Sequence, residues 1–194
     1  VRDPRKGARQ YNIALDITNF GAEKLMMGQK VEAQTLKVTA NAQGYQIKGD
    51  VRVNGTPASL DYRKPRDAPE AEVSLRATLD EAARARLGVD AGAALSGPVP
   101  VRLSGKIAND KDARIQVEAD LTQAKVENLL PGWVKPAGRP NRAVFTLVNK
   151  DKATRFEDIS IEGSGANVKG NVELDSAGDV VSALFPVFAL TAGD

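Results

Sequence analysis

The stretch Tyr45-Gln46-Ile47-Lys48-Gly49-Asp50-Val51-Arg52-Val53-Asn54-Gly55-Thr56-Pro57-Ala58-Ser59-Leu60-Asp61-Tyr62 decides the fold class. Tyr45, Ile47, Val51 and Val53 fall at every second position around Gly49, and Gln46, Lys48, Asp50 and Arg52 alternate with them. Side chains point to opposite faces along a strand, so this spacing makes one face apolar and the other polar. Asn54-Gly55 is the pair that a tight two-residue hairpin turn favours, and Ala58, Leu60 and Tyr62 resume the alternation on the return.

The same period extends outward in both directions. Tyr11, Ile13, Leu15 and Ile17 alternate with Asn12, Asp16 and Thr18, and Leu36, Val38 and Ala40 repeat the pattern. Downstream come Val73 to Leu79, Val99 to Leu103, Ile115 to Leu121, Ala143 to Val148, Phe156 to Ile161, Val168 to Leu174 and Val181 to Phe188. About ten strands of this kind predict a mainly β protein, an antiparallel sheet with one wet face. Two short helices are expected between them. Asp80 suits the N-cap of Glu81 to Leu87 with Gly88 as its stop, and Thr122 offers a similar cap to Gln123 to Leu130 before Pro131-Gly132.

A weak internal repeat relates residues 71–121 to 113–174. In each, a strand ends in Leu79 or Leu121, then come a helical stretch, Gly88 or Gly132, a Gly/Pro loop, and a strand at Val99 or Ala143. A second echo places glycine between apolar positions, at Ile47-Lys48-Gly49-Asp50-Val51, Leu103-Ser104-Gly105-Lys106-Ile107 and Val168-Lys169-Gly170-Asn171-Val172. Glycine inside a strand marks a bend, a bulge or a close backbone approach. Repeated strand modules imply one unit that grows by addition, each module needing neighbours to bury its face.

Composition narrows the chemistry. Val, Leu, Ile and Phe number 47 of 194 residues, enough for a core in one domain or two small ones. A net charge of +2 gives no electrostatic case for a nucleic-acid partner. The chain has neither cysteine nor histidine, which removes disulfides, thiolate nucleophiles, imidazole bases and His- or Cys-bearing metal sites. A non-catalytic protein without cofactor or metal is the expectation. No apolar run is long enough to span a bilayer, since the longest, Ala183 to Leu190, is short and holds Pro186. The basic start Val1 to Arg9 and the stop after an apolar strand read as the ends of a segment taken from a longer chain.

Several motifs invite a chemical reading. Gly163-Ser164-Gly165-Ala166-Asn167-Val168-Lys169-Gly170 lacks the Gly-Lys-Ser/Thr that opens a helix in a phosphate-binding loop, and reads as a hairpin turn. Asn109 to Asp112 and Asp175 to Asp179 have too few oxygens placed for calcium and also read as turns. Glu118 with Asp120, or Glu157 with Asp158, has the residue types of a glycosidase pair, yet strand-face carboxylates keep an outer surface wet. Arg2, Arg5, Lys6 and Arg9, and Arg63-Lys64-Pro65-Arg66, are either solvated loops or contacts for acidic lipid headgroups. Trp133 is either a seam anchor or an exposed interfacial ring.

Leu79 to Gly88 followed by Leu95-Ser96-Gly97-Pro98-Val99-Pro100-Val101, then Ala119-Asp120-Leu121-Thr122 and Val126-Glu127-Asn128-Leu129-Leu130-Pro131-Gly132-Trp133-Val134-Lys135-Pro136, with Phe156-Glu157-Asp158-Ile159 and Val168-Lys169-Gly170 beyond, form an ordered set. The set resembles the large AsmA-like proteins of Gram-negative bacteria, in particular the YhdP-type central region, over about residues 10 to 190. The resemblance implies a curved, taco-like β-groove in the periplasmic part of an inner-membrane-anchored protein. It implies that phospholipid acyl chains pass along the groove between inner and outer membrane, serving outer-membrane lipid homeostasis. Partners would be phospholipid, neighbouring segments of the same chain and other envelope proteins. The inward residues would be Ile13, Leu15, Ile17, Leu36, Val38, Ile47, Val51, Val53, Val73, Leu75, Val101, Leu103, Ile115, Val117, Phe145, Leu147, Ile161, Val172 and Leu174. The rival expectation is a closed β-sandwich in which these residues seal on one another, a scaffold for an envelope assembly.

Overall fold

The computed structural model describes residues 11–26, 29–88, 91–107, 113–150 and 153–191. The chain begins with five strands, β1 (Asn12–Met26), β2 (Gln29–Asn41), β3 (Gly44–Val53), β4 (Thr56–Pro65) and β5 (Ala71–Leu79). A first insertion follows, made of α1 (Glu81–Arg86), a 3-10 turn (Gly92–Ala94) and the short β6 (Leu95–Ser96). After β7 (Val99–Ile107) and β8 (Ala113–Asp120), a second insertion holds β9 (Lys125–Glu127) and β10 (Val134–Lys135). The chain then runs through β11 (Arg142–Lys150), β12 (Ala153–Gly163), β13 (Ala166–Leu174) and β14 (Val180–Leu190).

The eleven long strands form one open antiparallel sheet, laid down in chain order from β1 at one edge to β14 at the other. This is an uninterrupted meander, and each long strand expected from alternation takes its place in it. Asn54 and Gly55 both have positive φ, 45° and 80°, as the tight hairpin turn between β3 and β4 requires. The two insertions meet in a second sheet of three strands, β10-β9-β6. The two insertions therefore pack on each other, β6 of the first pairing with β9 of the second. A closed sandwich is not formed, because the large sheet stays open and this small sheet is its only companion layer among the described residues.

The first expected helix is present. The Asp80 carboxylate accepts from the Ala83 N–H at 2.7 Å, and Gly88 turns the chain at φ 73°. The second, Gln123 to Leu130, is absent and this expectation is corrected. Ala124 N–H closes a single turn onto Leu121 C=O, after which Lys125, Val126 and Glu127 alternate exposed, buried, exposed as β9. A short stretch holding Val126 and Asn128 nucleates a helix poorly, whereas β6 and β10 offer it backbone partners on both sides.

Buried cations tie down both insertions. The Arg84 guanidinium donates to the carbonyls of Leu79, Gly97 and Leu95, and the Lys135 ammonium to those of Thr122, Ala124, Pro136 and Arg139. Each gathers backbone carbonyls from strand ends and loops around one buried charge. Burial lowers the Lys135 pKa, and Asp120 opposes that shift.

The three mid-strand glycines mark close approach between strands. A Cβ on Gly49 would lie 2.9 Å from Thr35 O and from the Leu36 side chain, one on Gly105 2.7 Å from Arg114 O, and one on Gly170 2.4 Å from both Leu184 O and the Phe185 ring. All three glycines lie on the apolar face. At these three places the neighbouring strand comes close on the apolar side, so any side chain there would push the strands apart.

Candidate functional site

The register makes the apolar face continuous. Leu15 pairs with Val38, Val38 with Ile47, Ile47 with Tyr62, Tyr62 with Val73, and Val73 with Gly105. Gly105 pairs with Ile115, Ile115 with Leu147, Leu147 with Phe156, Phe156 with Val172, and Val172 with Ala183. One row thus crosses all eleven strands with a phenol as its only polar group. Ten inter-strand steps of about 4.8 Å make it ~48 Å long.

The other expected lining residues lie beside this row on the same face. Ile17 pairs with Leu36, and Leu75, Leu103, Val117 and Phe145 follow one another across β5, β7, β8 and β11. Val101 and Ile161 belong to a third row, joined through Ala119 and Ala143. Val51 and Val53 lie on β3 at the same parity as Ile47, and Leu174 pairs with Thr154 two residues before Phe156. Ile13 continues the β1 alternation. The register shifts in β2, β12 and β14 keep the apolar set on one side across the bulges.

The face is covered unevenly. At one end of the strands, Val99, Leu121 and Ala166 pack with Leu95, Ala124, Val126 and Trp133 of the insertions, and Val101 and Ile161 flank this core. Leu36, Val51, Val53 and Leu75 belong to a second core, against which Leu87 after α1 packs. Ile13, Leu15 and Ile17 remain 50%, 48% and 37% exposed. Val38, Val117, Phe145, Leu147, Val172 and Leu174 are half-buried, while Val73 and Ile115 are buried by their neighbours on the sheet. The face is therefore roofed along one rim by the small sheet and left open along the other.

Trp133 is the anchor of that roof, at 1% exposure with its indole N–H donating to Ser164 C=O at 3.4 Å. Sequence left its role open between seam and interface, and the structure places it in the seam between β10 and the β12–β13 turn. Aromatic rings also pair on the apolar face, Phe145 with Phe156 at 5.5 Å and Phe185 with Phe188 at 6.2 Å between centroids. Tyr45 and Tyr62 stack at 6.0 Å.

Burial, reinforced by the Tyr45 hydroxyl, pushes the Tyr62 phenol up to about 12. An alkaline titration followed by tyrosinate absorbance should show Tyr62 ionising last, and Tyr62→Phe should remove that final step. A raised folded-state value means that stability holds below the ordinary phenol value of about 10 and falls as pH rises toward about 12. The Phe variant should flatten that fall in alkaline melting curves.

The opposite face is polar and also concave. A twisted sheet is saddle-shaped, so each face is hollow along one diagonal. The hollow on this face is a cleft of ≈ 1390 Å³ bounded by β3, β4, β5, β7, β8, β11 and β12. Glu118 and Asp120, weighed as a catalytic pair, both border it. Glu118 is ion-paired to Arg142 at 2.9 Å, and the Thr122 side chain, then the Thr122 N–H at 2.9 Å, holds the Asp120 carboxyl below its ordinary value. Glu157 is paired to Arg114 at 2.9 Å, and Asp158 sits at φ 51° in the β12 bulge. The Asp175 carboxylate accepts from Ala177 and Asp179 N–H groups and so builds the β13–β14 turn. Gly163 to Ala166 is a hairpin turn, with Ser164 and Gly165 at positive φ. Arg63, Lys64 and Arg66 lie at the end of β4 and the turn after it, Lys64 donating to Ala68 C=O. Arg2, Arg5, Lys6, Arg9 and the Asn109 to Asp112 turn lie outside the described residues. Among the described residues no helix is long and apolar enough to cross a membrane. Neither a protein-family model, nor a curated protein, nor a solved structure matches this chain.

Proposed function

We propose that this chain is a non-catalytic β-groove module of the AsmA-like type, which holds phospholipid acyl chains along its apolar face. The observation that supports this reading most is the unbroken apolar row from Leu15 to Ala183 on an open sheet. An apolar face this size needs a second layer or a ligand, and the small sheet supplies a layer along one rim only. An amphipathic ligand suits that asymmetry, with its chain against the branched aliphatics and its headgroup toward the open rim. Val, Leu and Ile side chains make up most of this wall, with a few paired rings among them, and hold an acyl chain without a charged group to fix it. In this reading the module works in the periplasm as part of a membrane-anchored protein and carries phospholipid between inner and outer membrane.

A scaffold reading draws support from β14. Val180, Val181, Leu184 and Phe188 are each about half or more exposed on this edge strand, and Asn171 pairs with Leu184 on the polar side. An edge with apolar groups on both faces suits contact with another protein segment.

The deciding experiment is mass spectrometry of lipids extracted from the chain purified without detergent, beside a soluble β-sandwich of similar size. Phospholipid retained in stoichiometric amount through gel filtration is the expected result. A stable, monodisperse and lipid-free chain would overturn the lipid reading and leave the scaffold.

A further inference from the structure

The polar face holds a second feature, independent of the lipid reading. Arg76 on β5 and Arg102 on β7 are directly paired in the register, so two guanidiniums leave the sheet side by side into the cleft. Like charges directly opposite each other destabilise a sheet. Neither guanidinium has a hydrogen bond or an ion pair among the described residues.

The nearby carboxylates are already engaged. Along the same row, Asp50 accepts from the Ser59 hydroxyl at 3.2 Å, and Glu118, the register partner of Arg102, is held by Arg142. At the cleft's rim Asp80 caps α1, and Glu162 takes Lys169 at 3.2 Å and the Ser160 hydroxyl at 3.1 Å. Of the three arginines lining the cleft, Arg76 and Arg102 at its centre are the two without a protein partner among the described residues.

We propose that Arg76 and Arg102 form a clamp for a phosphate group. Two guanidiniums present parallel N–H forks, and a phosphate has enough oxygens to take a bidentate pair from each. Its charge of about −1.5 to −2 near neutral pH matches two guanidiniums, whereas a carboxylate leaves one uncompensated. The phosphate could belong to a soluble ligand or to a lipid headgroup.

The test uses the whole chain with two probes, inorganic phosphate by calorimetry and vesicles of equal parts phosphatidylcholine and phosphatidic acid by flotation. Saturable binding to at least one probe is expected, weakened about tenfold or more by Arg76→Gln and by Arg102→Gln. Lys106→Gln, a cation further along β7 on the same face, should leave it unchanged. Binding of free phosphate assigns the clamp to a soluble ligand, and binding of vesicles alone assigns it to a headgroup. The Gln variants should melt no lower than the parent without phosphate, since they relieve a like-charge pair, and should lose the rise in Tm that phosphate gives the parent. Absence of saturable binding to both probes, or an equal loss in Lys106→Gln, would overturn the clamp. Lipid retention on the other face is measured separately, so failure of either reading leaves the other intact.

Discussion

Val117→Asp should leave the chain folded and strip it of lipid, with apparent affinity for a fluorescent phospholipid falling roughly 50- to 200-fold. Val117 is half-buried between Leu103 and Phe145 and lies outside both packed cores. A carboxylate there keeps its water, and so keeps wet the stretch of acyl chain that would lie across it. Three to four methylenes left in water at about 0.8 kcal/mol each amount to about 2.4–3.2 kcal/mol, which gives the expected factor. Gln116→Asp is the matched control. It places the same charge one residue away on the exposed polar face, where alternation keeps it clear of the row. Leu15→Asp repeats the test at an edge-strand position that is already 48% exposed and tolerates a charge. Retention unchanged in both Val117→Asp and Leu15→Asp would mean that the apolar row does not hold lipid.

Trp133→Ala should cost about 3–5 kcal/mol of stability, the usual range for removing a fully buried large aromatic. The loss should fall on the small sheet first. Trp133 fills the space between Leu95, Ala124 and Val126 on one side and Val99, Leu121 and Ala166 on the other. Without it, three strands of two or three residues each lose the largest side chain of the core that packs them on the large sheet. Hydrogen exchange should accelerate at β6, β9 and β10 while β3, β4 and β5 keep their protection. Uniform loss of protection would instead show that roof and sheet unfold as one unit. With the roof loosened the apolar face should lose its closed rim, and retained lipid should exchange faster with added vesicles.

Most of the sheet was legible in the sequence because strand alternation is local. Ile13-Leu15-Ile17, Tyr45-Ile47 and Val51-Val53 each declare their inward face without reference to any other part of the chain. A meander then needs only hairpin connections, and Asn54-Gly55 and Ser164-Gly165 supply turn residues where the strands end. The nineteen expected lining residues accordingly fall on one face. That the two insertions join into one roof was not legible, since it depends on pairing between β6 and β9.

Other features had no local signal. Gln123 to Leu130 has a capping Thr and a Pro-Gly stop, the marks of a helix, and its Lys125–Glu127 forms a strand because β6, far upstream in sequence, and β10, just past the Pro-Gly turn, pair with it on both sides. Lys135 gives no sign that four carbonyls gather round its ammonium. Arg76 and Arg102 are 26 residues apart and unremarkable alone, and become a pair only through the β5–β7 register. By itself the sequence determined which side chains share a face, since that follows from a period of two along each strand. Which stretch of that face is roofed, which is open, and which charges meet across the other face were decided by tertiary structure, because strand pairing and packing join residues that local periodicity leaves independent.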